Sequence, residues 1–158
     1  MAIEGLEILM SRLHGLQQLM RTQNIESDLL AGLDGDFPKL RIYFEQGDAQ
    51  LTCIPMDEDG SMSHFMLDLS AELALPGVSY VKRQTICDLF DSISMAGLAF
   101  LSEQEDRICY RWALPEAELP ATDETFLYFV HLFAEYLGRL NDFAAQVLAI
   151  EDASLDER

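Results

Sequence analysis

The chain has 158 residues, 49% of them hydrophobic, with 28 acids against 10 bases and a formal charge of −18. That length suits one domain with one core, and the apolar content offsets the entropy of ordering, which excludes a disordered acidic tail. Charge of this sign and size excludes general affinity for phosphate backbones or anionic membranes and leaves solubility and the steering of basic or mixed-charge proteins.

Ile3, Leu6, Leu9, Leu13, Leu16 and Met20 recur at spacings of three and four, which predicts an amphipathic helix over residues 2–24. Its apolar side is wide, because Ile8, Met10 and Leu19 fall off the main stripe and are left to face something other than the sheet beneath. Residues 24–38 hold Gly32, Asp34, Gly35 and Asp36 and read as a connector with at most a short helical turn.

From Lys39 to Glu45, Leu40, Ile42 and Phe44 alternate with Lys39, Arg41, Tyr43 and Glu45, the pattern of a half-buried strand. Gln46-Gly47-Asp48 reads as a tight reversal into a second strand, Gln50 to Met56. After a turn at Asp57-Glu58-Asp59-Gly60, a third strand alternates Phe65, Leu67 and Leu69 against His64, Met66 and Asp68. Leu75-Pro76-Gly77 then breaks the pattern, and Ile86, Leu89, Phe90 and Ile93 take up helical spacing from Lys82 to Met95. Gly97 ends that helix or permits close packing.

A hairpin follows, Leu98 to Glu103 and Arg107 to Leu114, turning at Gln104-Glu105-Asp106. Pro115 and Pro120 bracket an acidic connector. Thr122 fits a helix N-cap, with Asp123 and Glu124 matched to the helix dipole, for a last helix from Asp123 to Leu148. The expected organisation is a single α+β domain over residues 1–150, ordered helix, three strands, helix, two strands, helix, with a twisted antiparallel sheet packed by helices. Residues 151–158 are expected to fray as an acidic tail.

Catalysis needs convergent groups, and the sequence offers none. His14, His64 and His131 stand on three different elements without metal-ligand spacing, and His131 reads as a core or boundary histidine of the last helix. Cys53, Cys87 and Cys109 are far apart, each inside an apolar pattern, and read as reduced, partly buried thiols. Arg107 and Arg111 flank Cys109 on one strand face, so a thiolate there is conceivable, but no histidine or resolving cysteine is near in sequence. Glycine stands fourth in Asp57-Glu58-Asp59-Gly60, which does not fit a calcium loop.

One distribution carries a functional reading. Four of the ten bases, Lys39, Arg41, Arg107 and Arg111, fall on the non-core faces of two strands. Were those strands neighbours, they would form a basic stripe edged by Tyr43, a docking face for an acidic or extended peptide. The alternative is cross-strand pairing with Glu45 or cover by the acids of a helix.

The strand and helix Arg107-Ile-Cys-Tyr-Arg-Trp-Ala-Leu-Pro115 and Thr122-Asp-Glu-Thr-Phe-Leu-Tyr-Phe-Val130, with the hairpin Leu40-Arg-Ile-Tyr-Phe44 and Ala49-Gln-Leu-Thr-Cys53, resemble the type III secretion chaperone-like fold. Within it they are most similar to the YbjN-like bacterial proteins, sometimes called sensory transduction regulators. The resemblance implies a homodimer without enzymatic activity or cofactor, and carries over no fixed functional residue.

The resulting expectation is a cytoplasmic, non-catalytic protein-binding module, chaperone-like or regulatory, that holds a partner polypeptide on sheet and helix surfaces. The residues named for that contact are Lys39, Arg41, Tyr43, Arg107, Arg111, Phe90 and Ile93. A membrane or nucleic-acid partner is not expected. The alternatives are an anion-binding domain or minor enzyme with a site built from Arg41, Tyr43 and Arg111, and a structural subunit of a larger complex.

Overall fold

The computed structural model describes residues 3–32, 36–57, 65–102, 106–115 and 123–150. Helix α1 (Ile3–Arg21) turns its stripe of Leu9, Leu13, Leu16 and Met20 fully inward. It stops where Asn24 takes the left-handed conformation (φ 58°) and the Ile25 N–H reaches back to the Met20 carbonyl, 3.1 Å.

Immediately afterwards the chain forms β1 (Glu26–Leu30), a strand where the sequence reads as connector. The order is therefore helix, four strands, helix, two strands, helix, still an α+β fold. β1 pairs with β2 (Lys39–Phe44), and a two-residue turn at Glu45 and Gln46 leads into β3 (Gly47–Pro55). The reversal thus falls one residue earlier than expected, with Gly47 opposite Phe44. β4 (Phe65–Ala74), helix α2 (Tyr80–Ile93), β5 (Leu98–Leu101), β6 (Arg107–Pro115) and helix α3 (Asp123–Leu148) complete the described elements.

The six strands form one antiparallel sheet in the order β1-β2-β3-β4-β6-β5. All three helices lie on one side of it, α1 against β1 and β2, α3 against β4, and α2 against β5, β6 and α3. Inward residues alternate along each strand, as Leu40 and Ile42, Leu51 and Cys53, Leu67 and Leu69, or Ile108 and Tyr110, all 0–1% exposed. α3 fills the centre with Phe126, Phe129, Val130, Phe133, Leu137, Leu140, Ala144 and Val147, a continuous stripe at helical spacing. Each such Leu or Phe contributes about 1.5–3 kcal/mol of burial. Trp112 meets Phe129 edge-on at 4.6 Å, joining β6 to α3.

Residues 58–60 of the Asp57 turn, His64, Gln104 and Glu105, the connector after Pro115 with its expected cap Thr122, and the 151–158 tail lie outside the described residues. His14 and His131 are exposed; for His131 this corrects the core or boundary reading, because the buried stripe of α3 runs through Val130 and Phe133 instead.

Candidate functional site

With every helix on one side, the outward residues of the strands form a face open to solvent. Lys39, Arg41 and Tyr43 stand on β2, Asp48 and Gln50 on β3, Asp68, Ser70 and Glu72 on β4, Arg107, Cys109 and Arg111 on β6, and Leu98 and Phe100 on β5.

The strands bearing the four bases are not neighbours. β3 and β4 stand between β2 and β6, so Arg41 and Arg111 share a row only through Gln50 and Ser70. Three strand spacings put their backbones about 14 Å apart, and each guanidinium is turned onto a carboxylate of the strand beside it rather than toward the other. The intervening strands supply carboxylates instead. Arg41 meets Asp48 at 2.8 Å, Arg111 meets Asp68 at 2.8 Å, and Arg107 meets Glu72 at 2.6 Å. Each pair is a diagonal contact across adjacent strands, two residues off the direct register partner. The three arginines of the stripe are therefore paired in place, through these three acids rather than through Glu45 or a helix.

The hydrogen bond to Asp48 pushes the Arg41 guanidinium further up its range, and that to Asp68 does the same for Arg111. Tyr43 donates its hydroxyl to Asp28 at 2.6 Å, which raises the phenol, and the Arg41 guanidinium stands 5.6 Å from its ring centre. Lys39 is half-buried, in register with Leu30 and Thr52.

Between β2 and β6 the face dips into a shallow hollow of about 390 Å³ lined by Arg41, Asp48, Gln50, Ser70, Glu72 and Cys109. Cys109 is the group there with nucleophilic potential. Its thiol is pushed up by partial burial first and by Glu72 next, with Arg111 only partly opposing, so the flanking arginines do not make it a thiolate. Cys53 and Cys87 are buried thiols pushed up to about 12 and about 11, in each case chiefly by burial. Among the described residues no group of His, Cys, Asp and Glu is placed to hold a metal ion, and no helix is long and apolar enough to cross a membrane.

The two apolar residues expected at the surface of α2 part company. Phe90 is fully buried, edge-on to Tyr110 at 5.0 Å and to Tyr136 at 6.1 Å, and belongs to the core rather than to a contact surface. Ile93 is exposed, together with Leu89 one turn earlier. Met95, the end of the helix expected from the sequence, is 90% exposed, and sequence reasoning missed Leu98 and Phe100, which are 61% and 45% exposed at the β5 border of the sheet. Their signal was present: a strand of only four apolar residues beside a glycine turn is the kind that ends up at an edge. The surplus on α1 divides: Ile8 is exposed beside Phe65, Glu7, Ser11 and Arg12 in a second, wider hollow of about 610 Å³, Met10 and Leu19 are half-buried, and Leu6 of the expected inward stripe lies at the surface instead.

Among the described residues these features define a two-layer α+β protein with one sheet face bare of helices, on which Arg41, Arg107 and Arg111 are each paired with a carboxylate. No family model and no curated protein matches the chain. Among solved structures it is similar to YbjN from E. coli, provisionally described as a transcription regulator, at a TM-score of 0.54 and 18% identity over 81% of this chain and 86% of that one. The likeness establishes a YbjN-like fold.

Proposed function

We propose that the chain is a non-catalytic protein-binding module, regulatory or chaperone-like, that works as a cytoplasmic homodimer and holds a partner polypeptide against its sheet. The observation that carries this reading is the bare sheet face, which runs without a break into the exposed Leu98, Phe100 and Met95. Soluble single-layer faces of this kind are covered by something or are kept polar; here charge pairs keep the centre soluble and the β5 border stays apolar. Lys39, Arg41, Tyr43, Arg107 and Arg111 are the polar contact residues of that face, and Ile93 is an exposed apolar residue of α2 on the helix side of the sheet. Phe90 takes no part.

Catalysis finds less support. The titratable groups of the hollow are spent on one another, and the nucleophile among them is held protonated. The YbjN neighbour's description as a regulator agrees with a binding role. Balanced charge on the open face favours a protein partner over a nucleic-acid backbone.

The test is affinity capture from the native extract with the full chain, alongside its mass by light scattering. We expect one polypeptide retained in a fixed ratio by a dimer and lost from the Arg41→Glu, Arg111→Glu double variant with its circular dichroism unchanged. A monomer that retains nothing, or a variant that retains its partner fully, overturns the reading.

A further inference from the structure

The sheet has two edges, β1 and β5, and they are treated differently. The Glu45–Gln46 turn makes Phe44 and Gly47 a hydrogen-bonded pair, and alternation then leaves Ser27 and Leu29 of β1 with their backbone groups pointing outward. The Ser27 carbonyl accepts from Gln17 Nε2 of α1 at 2.9 Å, and Glu26 and Asp28 charge the strand. One capped carbonyl and two charges thus guard that edge.

β5 reads Leu-Ala-Phe-Leu, with no charge and no proline. The Ser102 N–H donates to the Arg107 carbonyl at 3.1 Å, so by the same alternation Phe100 and Leu98 bond toward β6, while Ala99 and Leu101 point away from the sheet. The Ala99 N–H is held by Asp91 Oδ1 of α2 at 2.9 Å. Above this edge lie the exposed side chains of Leu98 and Phe100; below it α2 presents Asp88 and Asp91, one turn apart and both exposed.

Resting on the protein-binding reading, we propose that the β5 edge accepts an extended partner segment in which apolar and basic residues alternate, with Asp91 as gate and selector. The apolar residues pack on Leu98 and Phe100. A lysine or arginine on the other face draws Asp91 off the Ala99 N–H, which then donates to a partner carbonyl, and the Leu101 N–H donates to the next. Charge complementarity sets the occupant. A second copy of β5 brings no base, carries the same −18, and in two-fold pairing would set one Asp91 toward another.

The test uses the full chain and short labelled peptides followed by fluorescence anisotropy: alternating Val-Lys, alternating Val-Glu, and Val-Lys N-methylated at every second residue so that one edge cannot pair. Val-Lys is expected to bind, and Val-Glu and the N-methylated peptide to lose about tenfold or more. Leu101→Pro removes an outward N–H that the β6 ladder does not use and should weaken Val-Lys similarly. Asp91→Asn keeps an acceptor for Ala99 but should erase the preference for Val-Lys over Val-Glu. Should Leu101→Pro fail to fold, the N-methylated peptide decides. Equal binding of the N-methylated peptide, an Asp91→Asn preference left intact, or a dimer that Leu101→Pro dissolves each overturns the proposal. A chain that keeps its native partner in capture but ignores Val-Lys overturns this inference and leaves the protein-binding reading standing.

Discussion

Tyr110 of β6 and Phe133 of α3 stack nearly parallel, 4.5 Å between ring centres and 12° between planes, and the Tyr110 hydroxyl donates to the Ala96 carbonyl at 2.5 Å. One side chain thus fixes the long helix, the sheet and the turn into β5 together. Tyr110→Phe keeps the stack and leaves a buried carbonyl without its donor, for an expected loss of about 1–2 kcal/mol in urea unfolding. Phe133→Ala opens a cavity and should cost about 3–5 kcal/mol. A Tyr110→Phe protein as stable as the parent would show that the hydroxyl bond carries nothing.

Gly97 should tolerate no side chain. It sits at φ 80°, and an added Cβ would drive into the Arg111 carbonyl oxygen and stand 2.9 Å from Trp112 Cβ. Gly97→Ala is expected to lower stability by more than the roughly 1–2 kcal/mol of left-handed strain alone, since backbone must also shift. Thermal unfolding of the variant gives the number, and the Trp112 emission spectrum reports the displaced turn.

Alkali should destabilise the fold through its buried thiols. Cys53, raised from 9.0 to about 12, and Cys87, raised from 9.0 to about 11, keep their protons in the folded chain where the unfolded chain has released them. Their contribution is whole below pH 9 and is lost as pH rises above it, at about 1.4 kcal/mol per pH unit for each group titrating. Cys53→Ser or Cys87→Ser should each flatten the fall in urea midpoint between pH 9 and 11. In the native chain a thiol reagent should reach Cys109, the half-buried one, before the other two.

Lys82, only 7% exposed, donates Nζ to the Ile150 carbonyl at 3.0 Å and so ties the first turn of α2 to the end of α3. Cations suit a helix C-terminus, where carbonyls lack intrahelical donors. Lys82→Met keeps the stem and removes the donor. We expect a loss of about 1–3 kcal/mol and faster amide exchange at Ala149 and Ile150, with exchange in the β4–β6 ladder unaffected at low denaturant.

The ion pairs of the open face should matter little to stability, which makes them usable as binding probes. Arg111 is 47% and Asp68 14% exposed at the side chain. A double-mutant cycle on them should give a coupling of about 0–1 kcal/mol, shrinking as salt is raised. A coupling of several kcal/mol would mean that Arg111→Glu reports on folding rather than on docking.

The sequence showed the elements with strong periods and missed what tertiary contacts decide. α1, α3 and the strands at Leu40, Leu67 and Ile108 each carry a repeat that only one structure satisfies. β1 reads as connector because Gly32, Asp34, Gly35 and Asp36 follow it closely, although Ile25, Ser27 and Leu29 alternate inward; its place comes from pairing with β2 and from Gln17. Helical spacing gave α2 an apolar side but could not divide it, so Phe90 and Ile93 looked equivalent until α3 and β6 covered one of them. Alternation put Arg41 and Arg111 on the correct face, yet strand order is not written in alternation, and the order set Asp48, Asp68 and Glu72 between them. The border at Leu98 and Phe100, beside the exposed Met95, emerges only with β5 last in the sheet.

The longest ladder joins β4 to β6, from Met66 opposite Pro115 to Ala74 opposite Arg107, with α2 and β5 made in between. During synthesis β4 is made well before its partner strand, Leu69 ahead of Trp112. Until then β4 is a raw border with Leu67 and Leu69 uncovered, and α3, which roofs it, arrives later still. The sheet therefore cannot close from its N-terminal half alone: β4 is sealed along its edge and over its inner face only when the C-terminal third of the chain is free to pack.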